Sequence, residues 1–258
     1  MPVSEDELTR LAIDAAQRAG SLLLDRFRRP ATGVASKSTP TDLVSDADRE
    51  SESLIVGLIS NARPGDGFLG EEGRSGESQS GLRWIVDPLD GTVNFLFGIP
   101  TWSVSIAVED GEGAVVGVVH DPVHEETFSA TRNGGAWLNG RRVHVGDKTD
   151  LAQALIGTGF AYDVRIRDHQ AGIVRRLLPR VRDIRRLGSA ALDLCMLASG
   201  RYDAFYEAYM GPWDRAAGVL IAREAGATVT DLAPPLGDGM GVVAAIPSLH
   251  DELRKLVG

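Results

Sequence analysis

The residues best equipped for chemistry lie in Trp84-Ile85-Val86-Asp87-Pro88-Leu89-Asp90-Gly91-Thr92. A hydrophobic run ends in Asp87, and Pro88 holds the residue before it extended. Asp87 and Asp90 therefore stand three positions apart on a rigid turn at a strand end. Gly91 follows, and Thr92 is placed to open a helix. Such a turn offers carboxylate oxygens to a hard cation and backbone N–H groups to an anion. Asp-Pro and Asp-Gly pairs also merely reverse chains, so this stretch alone leaves both readings open. Two further segments repeat the theme. Phe68-Leu69-Gly70-Glu71-Glu72 ends an apolar strand in acid, which alone reads equally as a solvated turn. Pro212-Trp213-Asp214-Arg215-Ala216-Ala217-Gly218 opens an amphipathic helix, where Asp214 would also favour the dipole. Three acidic segments at element ends, taken together, point to one oxygen-rich site.

The elements that must position them follow from periodicity. A helix is predicted from Ser4 to about Arg26, with Ser4 and Glu7 at capping-box spacing and Leu8, Leu11, Ala12, Ala15, Ala16, Ala19, Leu22 and Leu23 at helical period. A loop with Pro30, Gly33, Lys37 and Pro40 leads to a second helix from about Ser45, carrying Leu54, Ile55, Leu58 and Ile59 on one face. The Ser- and Gly-rich stretch 74–81 reads as a mobile surface loop. From Trp84 the period becomes 2: Trp102–Val108, Ala114–His120 and Thr127–Ala130 are strands on short turns, and Asn139-Gly140 marks a tight hairpin. An antiparallel meander results. Beyond about residue 150, strands at 155–159, 184–187, 202–207, 228–231 and 242–246 alternate with helices at 169–182, 189–199, 213–225 and 248–257, and Gly226 sits where a helix C-cap glycine belongs. The expectation is an α+β chain in two halves, 1–147 and 148–258, the second a mixed α/β unit.

Composition narrows the function classes. Of 258 residues, 43% are hydrophobic and 24% charged, which excludes a disordered chain. The single Cys195 excludes an intrachain disulfide or a multi-thiolate metal site. No apolar run approaches the ~20 residues that span a bilayer. The acidic opening Met1-Pro2-Val3-Ser4-Glu5-Asp6-Glu7 lacks the basic start of a secretory signal, so a cytoplasmic protein is expected. A net charge of −9, from 27 basic and 36 acidic side chains, argues against general affinity for nucleic acid or anionic membranes.

Gly70-Glu71-Glu72, Asp87-Pro88-Leu89-Asp90-Gly91-Thr92-Val93-Asn94-Phe95, and Trp213-Asp214-Arg215-Ala216-Ala217-Gly218 with Glu224-Ala225-Gly226 resemble the three motifs of the inositol monophosphatase family, in that family's order. The resemblance spans Lys37 to Asp231, and departs at Ala227, where many members have a second glycine. It implies a layered αβαβα sandwich, a homodimer, and inhibition by lithium and excess Mg²⁺. It implies Mg²⁺ ligation by Glu71, Asp87, Asp90, Asp214 and the Leu89 carbonyl, with Glu71 also counted among the catalytic groups. Asp48 and Thr92 would orient the attacking water, although Ser45 and Asp48 also fit a local capping box. The amides of Gly91 and Thr92 would hold the phosphate. Lys37 and Asn94 would support the site, Lys37 through water or phosphate. Glu207 would bind substrate hydroxyls, with Gly188, Ser189, Ala190 and Asp214 beside the ring; Glu207 also reads as a surface acid at a strand end.

About five acids would repel a phosphate monoester, and two or three Mg²⁺ ions would invert that field. Zinc would call for His or Cys ligands instead. The implied reaction is hydrolysis of a small polyol or sugar phosphate, myo-inositol 1-phosphate first, by activated water without a covalent intermediate. Histidinol phosphate, fructose 1,6-bisphosphate and 3′-phosphoadenosine 5′-phosphate are alternative substrates. A regulatory protein that contacts the transcription machinery is the alternative outside enzymology.

His120 and His124 have the i, i+4 spacing of a helical zinc pair, but Asp121-Pro122 breaks any helix between them. Cys195 reads as a core thiol. The basic cluster Arg175, Arg176, Arg180, Arg182, Arg185 and Arg186 reads as a solvated face with subunit contacts.

Overall fold

The computed structural model describes residues 4–37, 43–233 and 239–258; Pro40 of the expected loop lies outside them. Helix α1 (Glu5–Phe27) starts as its sequence requires. Ser4 Oγ accepts from Glu7 N at 3.3 Å, and Glu5, Asp6 and Glu7 fill the turn where the helix dipole favours acid. A two-residue pair, β1 (Ala35–Ser36) with β2 (Leu43–Val44), leads into α2 (Asp46–Ala62). Leu23, Ile55 and the alanine face of α1 share one buried cluster with Trp84, Val104 and Ile106. The two helices thus form the outer layer over the first sheet.

That sheet contains β3 (Gly67–Gly70), β4 (Ser75–Gly76), β5 (Arg83–Asp90), β6 (Ser103–Asp110), β7 (Gly113–Asp121), β8 (Glu126–Thr131), β9 (Gly135–Leu138) and β10 (Arg141–Val143), with the short helix α3 (Thr92–Leu96) after β5. Its order is β10-β9-β8-β7-β6-β5-β3-β4. From β5 to β10 it is the expected meander, whereas β3 joins parallel to β5. Asn139 and Gly140, both at positive φ (48° and 74°), make the tight turn between β9 and β10. The stretch 74–81 is not simply a loop. Ser75 and Gly76 pair with Leu69 and Phe68 as an edge strand, and Ser80 Oγ donates to Asp66 at 2.6 Å. A two-residue strand carries no period from which it could have been read.

The second sheet contains β11 (Leu155–Thr158), β12 (Asp183–Arg185), β13 (Ala204–Glu207), β14 (Thr228–Leu232) and β15 (Gly241–Ala245), ordered β12-β11-β13-β15-β14. The first three are parallel and the last two pair antiparallel. Between them run α4 (Val164–Leu177), α5 (Ala190–Ala198) and α6 (Pro212–Glu224), and α7 (Pro247–Val257) follows β15. The fourth helix begins and ends earlier than 169–182. Asp163 caps it by accepting from Arg165 N at 2.8 Å, and Pro179 lies in a tighter turn at 178–180 that closes it.

Helices α5 and α6 lie between the sheets. Ala217 and Ile221 pack with Ile85, Val119 and Phe128 of the first sheet, while Val219 and Ala222 pack with Phe205 and Ala244 of the second. Helices α4 and α7 cover the far face through Ile173, Leu177, Leu249 and Leu253. The layering is αβαβα. Cys195 is buried and unpaired. His120 and His124 turn to Thr127 (3.0 Å) and Asp121 (2.7 Å), all within the β7–β8 hairpin. Among the described residues no helix is long and apolar enough to cross a membrane.

Candidate active site

Pro88 has no N–H to give the ladder, and β5 bulges there: Asp87 pairs with Ser105 but Asp90 with Ser103, three steps against two. The bulge aims both carboxylates at the end of the sheet. Leu89 N donates to Asp87 Oδ1 at 3.0 Å, and Ser51 Oγ from α2 donates to the Pro88 carbonyl at 2.8 Å. Asp90 is held from the far half of the chain. Ser189 Oγ donates to its Oδ2 at 2.6 Å and Ala191 N to the same oxygen at 2.8 Å. Asp214, in the first turn of α6, accepts from Gly211 N at 2.6 Å.

One oxygen each of Asp87, Asp90 and Asp214 lies within 4.8 Å of the others. Glu71, just past β3, lies beside the Asp87 side chain. Burial, then the charges of Glu71, Asp90 and Asp214, holds the Asp87 carboxyl well above the usual range. Asp214 is raised by burial and by Glu71 and Asp90. Asp90 is pushed up to about 6, burial outweighing the donors from Ser189 and Ala191 that favour its charge. Lys37 donates to Glu71 at 2.8 Å and also pairs with Glu72. Burial works against its ammonium, but the two carboxylates outweigh it and raise its pKa. Among the described residues, Asp87, Asp90 and Asp214 have no such cation. Their all-oxygen donor set, gathered at mutual electrostatic cost, fits hard divalent cations and not zinc.

Behind this cluster, Thr92 Oγ donates to Asp48 Oδ1 at 2.9 Å and meets the Leu89 carbonyl at 3.1 Å. Asp48 is wholly buried and accepts from both Ser45 N (2.8 Å) and Ser45 Oγ (2.6 Å). It reaches the cleft only through Thr92. Gly91, at φ 96°, makes the left-handed turn into α3; a Cβ there would lie 3.1 Å from the Thr101 carbonyl.

The acids open onto a cleft of about 540 Å³ lined also by Lys37, Leu89, Gly91, Thr92, Gly188, Ala190 and Glu207. Burial pushes the Glu207 carboxyl up to about 7, against the opposing charge of Arg186. Asp48, Asn94 and Ser189 do not line it. Asn94 Nδ2 instead ties the Thr101 and Leu187 carbonyls together, each at 2.7 Å, and Ser189 caps α5. Arg186 and Glu52 are among the residues that sequence reasoning missed. Arg186, counted with a solvated basic face, lines the cleft. Glu52 is buried under Gly70 and accepts from Glu72 N at 3.0 Å, steadying the Glu71-Glu72 turn. Its one available signal was an acid on the apolar side of α2.

Residues 4–257 match the family model described as "Inositol monophosphatase family". An inositol-1-monophosphatase SuhB of Mycobacterium tuberculosis is 46% identical over 230 residues, covering 85% of this chain and 79% of the relative. A protein named Nus factor SuhB from Pseudomonas aeruginosa is 40% identical over 231 residues, covering 87% and 85%. Among solved structures, the extragenic suppressor protein suhB of Bartonella henselae superposes with a TM-score of 0.91 at 36% identity, covering 97% of this chain and 98% of that one.

Proposed function

Because the chain belongs to the inositol monophosphatase family and is a phosphatase, we propose that it hydrolyses a small polyol or sugar phosphate monoester, with myo-inositol 1-phosphate as leading substrate. The convergence of Asp87, Asp90 and Asp214 within 4.8 Å carries this reading. Glu71, Asp87, Asp90, Asp214 and the Leu89 carbonyl would hold two or three Mg²⁺ ions. Bound there, such ions neutralise phosphate charge and make water more acidic.

The protein's own groups do the rest. Asp48, fixed by Ser45, takes the Thr92 proton into its hydrogen bond and leaves the Thr92 lone pairs to accept from the attacking water. The Gly91 and Thr92 amides hold the phosphate. The water oxygen bonds to phosphorus as the bond to the alcohol oxygen breaks; the proton lost by the water passes to solvent and the departing alkoxide takes one from a second water, so the products are the alcohol and inorganic phosphate. Nothing covalent to the protein is required. Glu207 accepts from substrate hydroxyls, and Gly188 and Ala190 flank the ring. We assign the chemistry mainly to 1–147 and selectivity to 148–258, which also lends Asp214.

We place the protein in the cytoplasm, a reducing compartment that suits a lone thiol. A homodimer would bury apolar side chains such as Phe97 and Ile99, now 74% and 47% exposed.

A substrate panel at fixed Mg²⁺ tests the assignment. Inositol 1-phosphate should have the highest kcat/KM; ranking below histidinol phosphate, fructose 1,6-bisphosphate or 3′-phosphoadenosine 5′-phosphate would overturn it. The Nus factor name of the Pseudomonas relative favours a second reading, regulation of transcription. Metal-independent binding to transcription factors, with no phosphatase activity, would select that reading.

Glu207→Ala should cost about tenfold in kcat/KM on inositol 1-phosphate and much less on p-nitrophenyl phosphate, which has no hydroxyls to read. Gly159→Ala should act in the same direction, since its Cβ would stand 2.0 Å from Glu207 Oε2 and displace the carboxylate. Equal losses on both substrates would refute a selective role for Glu207.

A further inference from the structure

Resting on the phosphatase reading of the cleft, we propose that Tyr209 is a specificity-determining residue, whose ring forms the wall that receives the C–H face of a cyclic polyol phosphate.

Tyr209 stands two residues after Glu207, in the turn from β13 to α6, and both line the cleft. Its backbone is left-handed, at φ 67°. Glycine adopts that region freely, whereas a bulky aromatic residue there is strained. Among the described residues, Glu125, Asn133 and Asn139 are the other non-glycines at positive φ. Each belongs to a hairpin turn of the first sheet, and none lines the cleft. Phe160, Tyr162 and Trp213 also line it, but none of these is at positive φ.

The residues on either side impose the conformation of Tyr209. Ala208 and Met210 are buried, and Met210 N donates to the Met240 carbonyl at 2.7 Å. Strand β15 passes so close that a Cβ on Gly241 would lie 2.4 Å from the Glu207 carbonyl oxygen and 2.7 Å from the Ala208 Cα. Gly211 N donates to Asp214 at 2.6 Å. With both flanks fixed, position 209 takes up the reversal. Strain maintained by its surroundings at a site wall points to a side chain kept for what it does there. The Tyr209 side chain is half-buried and rests against the apolar cluster of Ala208, Leu232 and Val243, which stiffens it.

A six-membered polyol suits this wall. Its equatorial hydroxyls radiate from the rim and leave C–H bonds on the two faces. Glu207 accepts from the rim, while the electron-rich face of the Tyr209 ring meets the C–H face and takes it out of water. An open-chain polyol offers hydroxyls but no such face.

Steady-state kinetics of the full chain at saturating Mg²⁺ test this, using wild type, Tyr209→Gly and Tyr209→Phe on myo-inositol 1-phosphate and the open-chain glycerol 2-phosphate, with a thermal melt of each protein. Tyr209→Gly should lose about fivefold or more in kcat/KM on inositol 1-phosphate, mainly through KM, and stay within about twofold on glycerol 2-phosphate. Tyr209→Phe keeps the ring and should stay within about twofold of wild type on both. Tyr209→Asn, which also tolerates a left-handed backbone, carries the same expectation as Tyr209→Gly and replaces it if that variant melts below the assay temperature. Equal losses on both esters, or no loss on either, would overturn the proposal, as would a loss in Tyr209→Phe as large as in Tyr209→Gly. A wild type that cleaves both esters equally well would overturn it too. A wild type that cleaves neither ester removes the phosphatase reading itself, and the role of the wall with it.

Discussion

Asp90→Asn lowers kcat by about 10³-fold or more at ordinary Mg²⁺, while the protein stays folded. The reason is local. Asp90 Oδ2 accepts from Ser189 Oγ and Ala191 N, and an asparagine carbonyl can take over both bonds. The substituted amide then faces Asp87 and Asp214, where it donates instead of repelling. One negative charge leaves the cluster, cation affinity falls, and charge developing on the phosphate loses its counterweight. Thermal unfolding separates this from simple damage. The metal-free variant should melt higher than metal-free wild type, because a like charge has gone from a buried cluster, and its rise in Tm on adding Mg²⁺ should shrink. An unchanged kcat, or a variant that melts far lower in chelator, contradicts the assignment.

The second large effect is on stability against pH in the absence of divalent cations. An acid whose folded pKa is raised binds more protons in the native state between its two pKa values, so stability falls as pH rises through that window and stays low above it. For Asp90 the window runs from 3.8 to about 6, and corresponds to about 3 kcal/mol by pH 7. Asp87 and Asp214 act in the same direction. His120, whose pKa burial lowers, acts oppositely below its usual range, and the Arg-paired Asp66 and Glu126, with lowered pKa values, oppose the trend in more acid solution. Denaturant melts in chelator should therefore be compared as wild type minus Asp90→Asn. That difference should become more unfavourable to wild type from pH 4 to 7. Saturating Mg²⁺ should abolish most of it, since a cation at about 100 times its Kd stabilises by about 2.7 kcal/mol. A difference that is flat with pH in chelator would mean that neither burial nor the charge of Glu71 raises the Asp90 carboxyl.

The acids were legible because each sits where a local pattern changes: Glu71 just past an apolar strand, Asp87 before proline, Asp90 before glycine, Asp214 in a helix first turn. Each rule operates over a few residues, and the meander and helix faces follow from equally local periods. What joins them is not local. The Ser189 and Ala191 donors reach Asp90 from 99 and 101 positions away, and nothing in Gly188-Ser189-Ala190 announces that Ser189 turns inward while its neighbours line the cleft. Arg186 was misplaced for the same reason: charge patterning assigns a run of arginines to solvent, and the left-handed Gly188 turn overrides it. Asp48 could be read as a helix cap but not as a buried acceptor for Thr92, which depends on α2 packing beneath β5.

The most direct test of the central claim is a crystal structure of the protein soaked in Mn²⁺, a scatterer that substitutes for Mg²⁺ at oxygen sites, with anomalous difference maps. The account predicts at least two peaks within ligating distance of the Asp87, Asp90 and Asp214 carboxylates, one of them also touching Glu71. Maps with no peak there, or with ions bound only elsewhere on the acidic surface, would contradict it.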